Sequence, residues 1–572
     1  MRNQSLIEER REATDEEIET LPHIVDTLPP IVWVALVASA TERFTFYAVK
    51  TPWQNYVQNP SNSAAVPGAL GLGQVTATTI SNAFAFLTFL SPVPFAILAD
   101  VWLGRFKTLC ISFSLGSIGC LVIFVTSFPF VMKESVKIFG LALGMIFLGL
   151  GTGGVKATVS PFIGDQYIDT PPQLVIRRNG ERVIADRNLT LQYIYNVLYW
   201  FTNIASLSLI ASTYLEKEVG FWAAYLLPLI SIWCAVPLML IWNKSFIKIP
   251  PQGNVLTQAS KLIMCSVRER FHLDAAIPAF QFERYGRNVE WDDRFVFEMR
   301  RGLMACKVMS AISPFESSIQ KLISSIRACF ILFNLCLNQI SNNLVSQAGQ
   351  MRLSGIPNDT IQALNSVACV LLGPIIQKII FPKLRDMGVR FGPIARMATA
   401  FVAMSFSMAF AAIVQKLIYS SGPCYQYPLT CPGSDNGNTP NDISVWVQTP
   451  TYFLLACAEI LGVVSLYEYS YSQAPRNLRS LVQAIGQISS AIGAALGIAI
   501  SPLAVDPKIL YMYVGLAVVM AIIAPVFWLF FRKQDDSGAL PNDSGSPRPE
   551  PRQSGRRSHE GQGVKAAPGN EG

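Results

Sequence analysis

Glu459 stands in an apolar run from Thr451 to Ser465 that is long enough to belong to a helix crossing a bilayer. An ionised carboxylate there costs several kcal/mol, roughly 2.5–3.5 on insertion scales, unless it meets water, a cation or a partner. Such a group either serves a functional site or ties helices together by hydrogen bonds alone. Glu42 and Arg43 in a candidate span at 31–50, and Lys156 in one at 137–160, pose the same problem with both signs of charge.

These charges need a scaffold, and composition identifies its class. Apolar residues make up 51% of the chain and charged residues only 15%, and the apolar residues come in runs. A helix needs about 20 mostly apolar residues to span the hydrocarbon core. Candidates fall near 31–50, 78–99, 106–128, 137–160, 190–213 and 220–242, and again near 328–350, 360–382, 393–417, 447–470, 480–503 and 509–531. The expectation is an all-α membrane protein with twelve transmembrane helices in two sets of six. The first span carries charge, so hydropathy alone ranks it low.

Residues 1–30 read as a cytoplasmic N-terminal segment, 31–242 and 328–531 as the two six-helix sets, 243–327 as a polar cytoplasmic linker, and 532–572 as a tail. Within the linker, Trp291–Leu303 looks like an amphipathic helix. The tail is rich in Gly, Pro, Ser and charge, a composition that cannot bury a core and reads as disordered. Met1–Arg10 has no apolar centre, which argues against a cleaved signal peptide.

Lys and Arg are retained on the cytoplasmic side, and Gly104–Lys107, Arg177–Arg182, 244–307, Lys383 with Arg385 and Arg390, Arg476–Arg479 and Arg532–Lys533 all fall there if both termini do. Lys133 and Lys137 are exceptions. The net charge of +7 then reads as orientation and requires no nucleic-acid partner. Of eleven cysteines, Cys424 and Cys431 share an outer loop, where an oxidising compartment favours a short disulfide. The other nine read as apolar filler. The three histidines, His23, His272 and His559, lie outside the spans, which excludes a histidine relay within them. No zinc-type Cys/His spacing, nucleophile–base pair or phosphate loop suggests a metal, a cofactor or an enzyme; Gly149–Gly154 has the small-residue spacing of helix packing. Asn358-Asp-Thr360 is a glycosylation sequon on an outer loop.

Several motifs now converge. Thr41-Glu-Arg-Phe-Thr-Phe-Tyr47 resembles the Glu-x-x-Glu-Arg-Phe-x-Tyr-Tyr motif of the proton-dependent oligopeptide transporters. Phe95–Thr108, Gly149–Tyr167, Tyr199–Leu207 and Leu466–Arg476 resemble that family's later signatures, in the expected order. Asn55–Pro60, Pro67–Gln74 and Ser346–Met351 are similar to its fungal branch. The resemblance covers about residues 15 to 533. It implies a major-facilitator fold, two six-helix bundles around a central cavity that opens alternately to either side, at the plasma membrane. It also implies proton-coupled symport of di- and tripeptides.

Residue by residue, the resemblance implies Arg43 and Lys156 for the peptide carboxylate and Glu459 for its amine. Asn203 and Asn365 match the family's peptide-binding asparagines, and Tyr47 and Tyr199 line the cavity. The plainer alternatives are a snorkelling lysine at Lys156, interhelical hydrogen bonding at Asn203 and Asn365, and packing at Tyr47 and Tyr199. Asp100, Gly104 and Arg105 read as a gate between the second and third spans, and Trp200 and Phe201 as packing. A zwitterionic peptide suits such an arrangement, because it bridges charges that are expensive to bury alone and so couples binding to closure.

The chain departs from the family pattern at the acids. Ser39 replaces the first Glu of the first-helix motif, Asn338 and Gln377 stand where many members have Asp, and Phe46 replaces a Tyr. Glu42 and Glu459 remain as proton carriers. Two alternative readings follow: a carrier of another small anion, nitrate-like, or a weakly coupled or non-transporting paralogue.

Relatives of the fungal branch run from Ala305–Val308 into the seventh span within roughly a dozen residues; here 309–329 intervenes. Val308-Met309 can be encoded by a splice-donor-like string, so a retained intron is the expected cause and a lineage-specific insertion the alternative. Sequencing the transcript is expected to show a message without this segment; a message that contains it overturns the intron.

Overall fold

The computed structural model describes residues 7–61, 66–131, 133–167, 172–177, 180–250, 329–387, 391–435, 437–473 and 479–536, with fragments between 261 and 296. The 309–328 stretch, the body of Trp291–Leu303 and the tail beyond 536 lie outside the described residues, and so do the expectations attached to them. Among the described residues, nine helices are long and apolar enough to cross a membrane. Hydrocarbon offers the backbone no partner, so a spanning segment must satisfy its own N–H and C=O groups, and an uninterrupted helix does so. Hydroxyls within these helices follow the same rule. Thr88, Ser112 and Thr158 each donate to the carbonyl four residues back, at 2.7–2.8 Å.

Pro30–Lys50 is a helix but is not among the nine, because Glu42, Arg43 and Lys50 lower its hydropathy. The chain is likewise helical over 329–337 and over Ala363–Ile375. The sequence expectations near 328–350 and 360–382 meet interrupted helices: a 3-10 turn at Asn338–Ser341 and a π-helical stretch at Ile376–Ile380.

Two large apolar cores hold the molecule together, one drawn from residues 32–246 and the other from 330–531. In the first, Arg105–Thr126 lies along Glu134–Asp165. Glycines allow that approach. A Cβ on Gly144 would stand 2.3 Å from Ile123 Cγ1, and one on Gly151 would meet Gly116 N and Ser112 O at 2.7 Å. In the second core, Pro393–Ser420 packs against both Thr449–Gln473 and Ile509–Asp536, with Phe330, Phe333, Phe401 and Phe527 clustered at 5.0–5.7 Å between ring centres. Between these sequence halves, Gly73–Leu90 packs on Arg479–Ile500 and Arg187–Ser206 on Ala363–Ile375.

The two ends of the helix array are structurally distinct. One end carries a small sheet that composition did not announce: β1 (Ile7–Glu12), β2 (His23–Ile24), β3 (Gln173–Arg177) and β4 (Arg182–Ala185), in the order β1-β3-β4-β2. The N-terminal segment is thereby stitched to the connection at 172–186. Thr14 caps the short helix Asp15–Thr20 in a capping box with Glu17. Arg11 and Arg182 both bond Glu17; the Arg11 hydrogen bond, before all other causes, holds that carboxyl down at about 2. His23 Nε2 donates to the Ile18 carbonyl at 2.8 Å and Nδ1 lies 2.7 Å from an Asp186 oxygen, and these partners, Ile18 first, raise its pKa. The opposite end carries the Cys424–Cys431 disulfide, in a loop whose Asn441–Ser444 strand pairs with Met351–Arg352. These ends are called here the sheet face and the disulfide face.

Packing at Gly151 gives a direct test. Gly151→Ala puts a methyl against backbone atoms that cannot yield, an overpacking worth about 1–3 kcal/mol, and is expected to lower the thermal unfolding midpoint in detergent. Gly515→Ala, with nothing within 4 Å of the added methyl, is expected to leave the midpoint unchanged or to raise it slightly. Equal midpoints would mean that the two helices are not in backbone contact.

Candidate functional site

Helix Pro30–Lys50 presents Glu42, Arg43, Phe46, Tyr47 and Lys50. Spacings of three and four residues place Arg43, Phe46 or Tyr47, and Lys50 along one side. Arg43 Nε donates to Glu42 Oε2 at 2.6 Å, and Nη2 lies 2.6 Å from the same oxygen. The side chains are 13% and 5% exposed, so the pair is largely shielded from water. Arg43 Nη2 meets Glu42 Oε2 as an ion-pair contact without a well-aligned hydrogen bond. Lys156, from helix Glu134–Asp165, reaches the same place. Its Nζ stands 4.1 Å from the centre of the Phe89 ring and 5.8 Å from that of Phe46, with Arg43 over Phe46 at 5.4 Å. Ring faces attract a cation without neutralising it, so the cluster keeps an unspent positive charge.

The carboxylate comes from the other sequence half. An apolar cluster of Ala368, Cys369, Ile376, Ala456 and Ile460 clamps Ala363–Ile375 to Thr449–Gln473. This brings Asn365 Nδ2 to 3.1 Å from Glu459 Oε2 and Cys369 Sγ to 3.9 Å from the same oxygen. Asn365 Oδ1 is buried with no donor. The Tyr47 hydroxyl is within electrostatic reach of Arg43, Glu42 and Glu459 together, and that of Tyr199 within reach of Glu459, Cys369 and Tyr47. Arg43, Lys156, Tyr47, Tyr199, Asn365 and Glu459 thus share one region, with cations on one side, a carboxylate on the other and two phenols between.

Asn203 is placed differently. Its Nδ2 donates to the Tyr199 carbonyl one turn back at 2.9 Å, so its amide is used within its own helix. Around the sequence's gate residues, Gly104 turns the chain with φ 80° between the π-helical Leu98–Leu103 and the helix from Arg105. Arg105 Nη1 donates to both oxygens of Asp165 at 2.7 Å, a partner in its own half that sequence reasoning passed over. The side chain of Asp100 lies outside the described residues. Asn358 corrects the sequon reading: it is 2% exposed, and its amide is bonded reciprocally to Asn55, which leaves no room for a glycan.

Sequence reasoning also missed Lys50, Phe46, Phe89 and Cys369 as members of this region. Lys50 lies two turns beyond Arg43, and that spacing was a usable signal; its Nζ reaches Ser341 Oγ in the other half at 3.3 Å. Phe89 and Cys369 carry no charge that would have singled them out.

Removing one partner of a buried pair leaves the other charge stranded, at about 3–5 kcal/mol, whereas removing both is far cheaper. Arg43→Ala is therefore expected to lower the unfolding midpoint more than Glu42→Gln with Arg43→Gln together. The reverse order would mean that Glu42 finds water or another cation.

Comparison with known proteins adds to this geometry. A profile of the POT family (PTR2) matches residues 106–515. Peptide transporter PTR_C of Candidozyma auris is 38% identical over 542 residues, covering 94% of this chain and 90% of the relative. Peptide transporter PTR2 of Saccharomyces cerevisiae is 35% identical, covering 92% and 82%. Among solved structures, the POT family transporter PepTSo superposes with a TM-score of 0.66 at 17% identity, over 90% of this chain and 99% of that one, a likeness of fold.

Proposed function

This chain belongs to the POT family, the proton-dependent oligopeptide transporters, and on that premise we propose that it carries di- and tripeptides across a membrane in symport with protons. The observation that carries the reading is the charge arrangement: Arg43 and Lys156 from one half, Glu459 from the other, and Tyr47 within reach of both signs. A peptide's carboxylate would face the cations and its amine would face Glu459, with Asn365, Asn203, Tyr47 and Tyr199 around it.

Twelve spanning helices in two six-helix bundles, 31–242 and 328–531, complete the proposed architecture, with the substrate near the midplane as in other carriers of this kind. The sheet face, rich in Arg and Lys, would be cytoplasmic and the disulfide face outside, at the plasma membrane. Lys156 rests on ring faces, and Glu459 is met by Asn365 and Cys369, which are neutral donors. A bridging zwitterion therefore stabilises the approach of the halves, and a shift between two pre-existing states suffices for alternating access. With Ser39 in place of the family's first acid, Glu42 and Glu459 would carry the coupling proton. Asp100, Gly104 and Arg105 would act at the cytoplasmic gate, where the Arg105–Asp165 pair anchors one side.

Labelled dipeptide uptake in cells lacking peptide carriers, at acid and neutral outside pH, tests this. Wild type is expected to take up peptide faster at acid pH. Glu459→Gln is expected to lose uptake by tenfold or more, since a hydrogen bond to a charged group is worth about 1.5–3 kcal/mol. Uptake without pH dependence would mean an uncoupled carrier, and none from a protein shown at the surface would move the reading to another cargo.

A further inference from the structure

A row of hydrogen bonds joins the two sequence halves at the disulfide face. Gln54 Nε2 donates to Ser346 Oγ at 3.0 Å, Asn55 and Asn358 exchange amide hydrogen bonds at 2.8 Å, and the Thr213 and Thr360 hydroxyls meet at 2.6 Å. Inside this seam lie two carboxyl groups, one from each half. Glu216 ends the helix Ser208–Glu218 and is 2% exposed; Asp359, in the turn Asn358–Gln362, is 0% exposed.

Donors for these acids are scarce. Asn55 Nδ2 serves Glu216 Oε1 at 2.9 Å. Glu216 Oε2 and both oxygens of Asp359 have no well-aligned donor; the backbone N–H groups of Asp359 and Thr360 approach the Asp359 carboxyl, and the two carboxyl groups lie in hydrogen-bonding contact with each other. Among the described residues the surrounding elements turn their cations to other partners. Residues 53–58 present Asn55 and Tyr56, Phe221–Ile241 presents Tyr225, and the turn itself presents Asn358 and Thr360. Lys217 Nζ goes to the Gly355 carbonyl and Lys50 Nζ to Ser341. Helices Pro30–Lys50 and Ala363–Ile375 place their remaining charge and thiol, Glu42, Arg43 and Cys369, at the central site. Among the described residues no group of three or more His, Cys, Asp and Glu could hold a metal ion. Two carboxylates in contact, dry and without a cation, cannot both be ionised; one proton between them removes the repulsion and makes the missing hydrogen bond.

We propose that Glu216 and Asp359 form a proton-binding latch, in which one proton shared by the two carboxyl groups holds the disulfide-face seam closed. The proton is taken from water on that face when the seam closes and returned to the same side when it opens. It is therefore a gating proton, separate from any proton carried across by Glu42 or Glu459. Burial pushes the Asp359 carboxyl well above the usual carboxylate range. Opening would return both groups to water and to ordinary acidity. Because the closed state holds the proton more tightly, its advantage is complete below the open-state value and is lost as pH rises through the closed-state value. Acid on the disulfide face closes the seam.

The experiment uses the full chain carrying Gln54→Cys and Ser346→Cys, whose side chains touch across the closed seam, with catalysed disulfide formation followed from about pH 5 to 8. Cross-linking is expected to fall several-fold as pH rises, against the ordinary trend of thiol oxidation. Asp359→Asn, whose amide supplies the donor that the proton supplied, is expected to cross-link equally across the range. Glu216→Gln gives the same readout if Asp359→Asn does not reach the surface. An Asp359→Asn profile that keeps the wild-type slope overturns the latch, and so does cross-linking that follows added sodium or calcium at fixed pH. This inference rests on the transport reading only for its consequence, and dipeptide counterflow at equal pH on both sides separates the two. Counterflow with pH-independent cross-linking sinks the latch alone; pH-dependent cross-linking without counterflow sinks the peptide reading alone.

Discussion

A charge placed among apolar helices has to find water, an opposite charge or a donor, because the surrounding medium supplies none of them. Most of the organisation around the centre of this protein follows from that constraint. Glu42 turns to Arg43, Arg105 to Asp165, and Glu459 to Asn365 and Cys369. Lys156 rests on ring faces, within electrostatic reach of Glu42. The groups that remain short of a well-aligned hydrogen bond, Arg43 Nη2 and Asn365 Oδ1, come from different sequence halves of the same central region. Polar groups of complementary kind, held on two separately packed halves, are what the peptide-binding proposal rests on.

The halves and the seam between them are built from different chemistry. Within each half, aromatic and aliphatic side chains interlock with glycines that admit neighbouring backbone, and such packing has no easily reached alternative state. Across the disulfide-face seam the contacts are amides and hydroxyls: Gln54 with Ser346, Asn55 with Asn358, Thr78 with Asn343, Thr213 with Thr360. Each hydrogen bond is worth about 0.5–1.5 kcal/mol net, because water replaces it when it breaks. A surface of this kind can part without leaving dry apolar area exposed. The two carboxyl groups within it add a contact whose sign depends on a proton.

Much of the architecture was legible before any coordinates. Runs of apolar residues fix helices by length and by the need for internal backbone bonding, and nine of the described helices meet that standard. Charged residues in such runs marked Glu42, Arg43, Lys156 and Glu459, and the structure gathers these into one region. The small sheet escaped notice because β1 is Ile-Glu-Glu-Arg-Arg-Glu, a polar segment whose partners lie some 165 residues away in pairs such as Arg10 with Val175. Glu216 and Asp359 escaped for a related reason. Each stands at the edge of an apolar run, where a carboxylate normally faces water, and nothing local signals that Asn55 and Asn358 will close over them.

The sequence alone therefore determined much of what each segment does within itself: which runs become long apolar helices, and which charges are out of place in hydrocarbon. These are properties of a residue and its near neighbours, set by hydropathy and helical spacing. Only the tertiary structure decided which groups meet. Arg105 pairs with Asp165 sixty residues on, Asn203 serves its own helix while Asn365 serves Glu459, and two acids 143 positions apart share a dry seam. Contact between distant segments depends on how whole helices pack, and no local pattern encodes it.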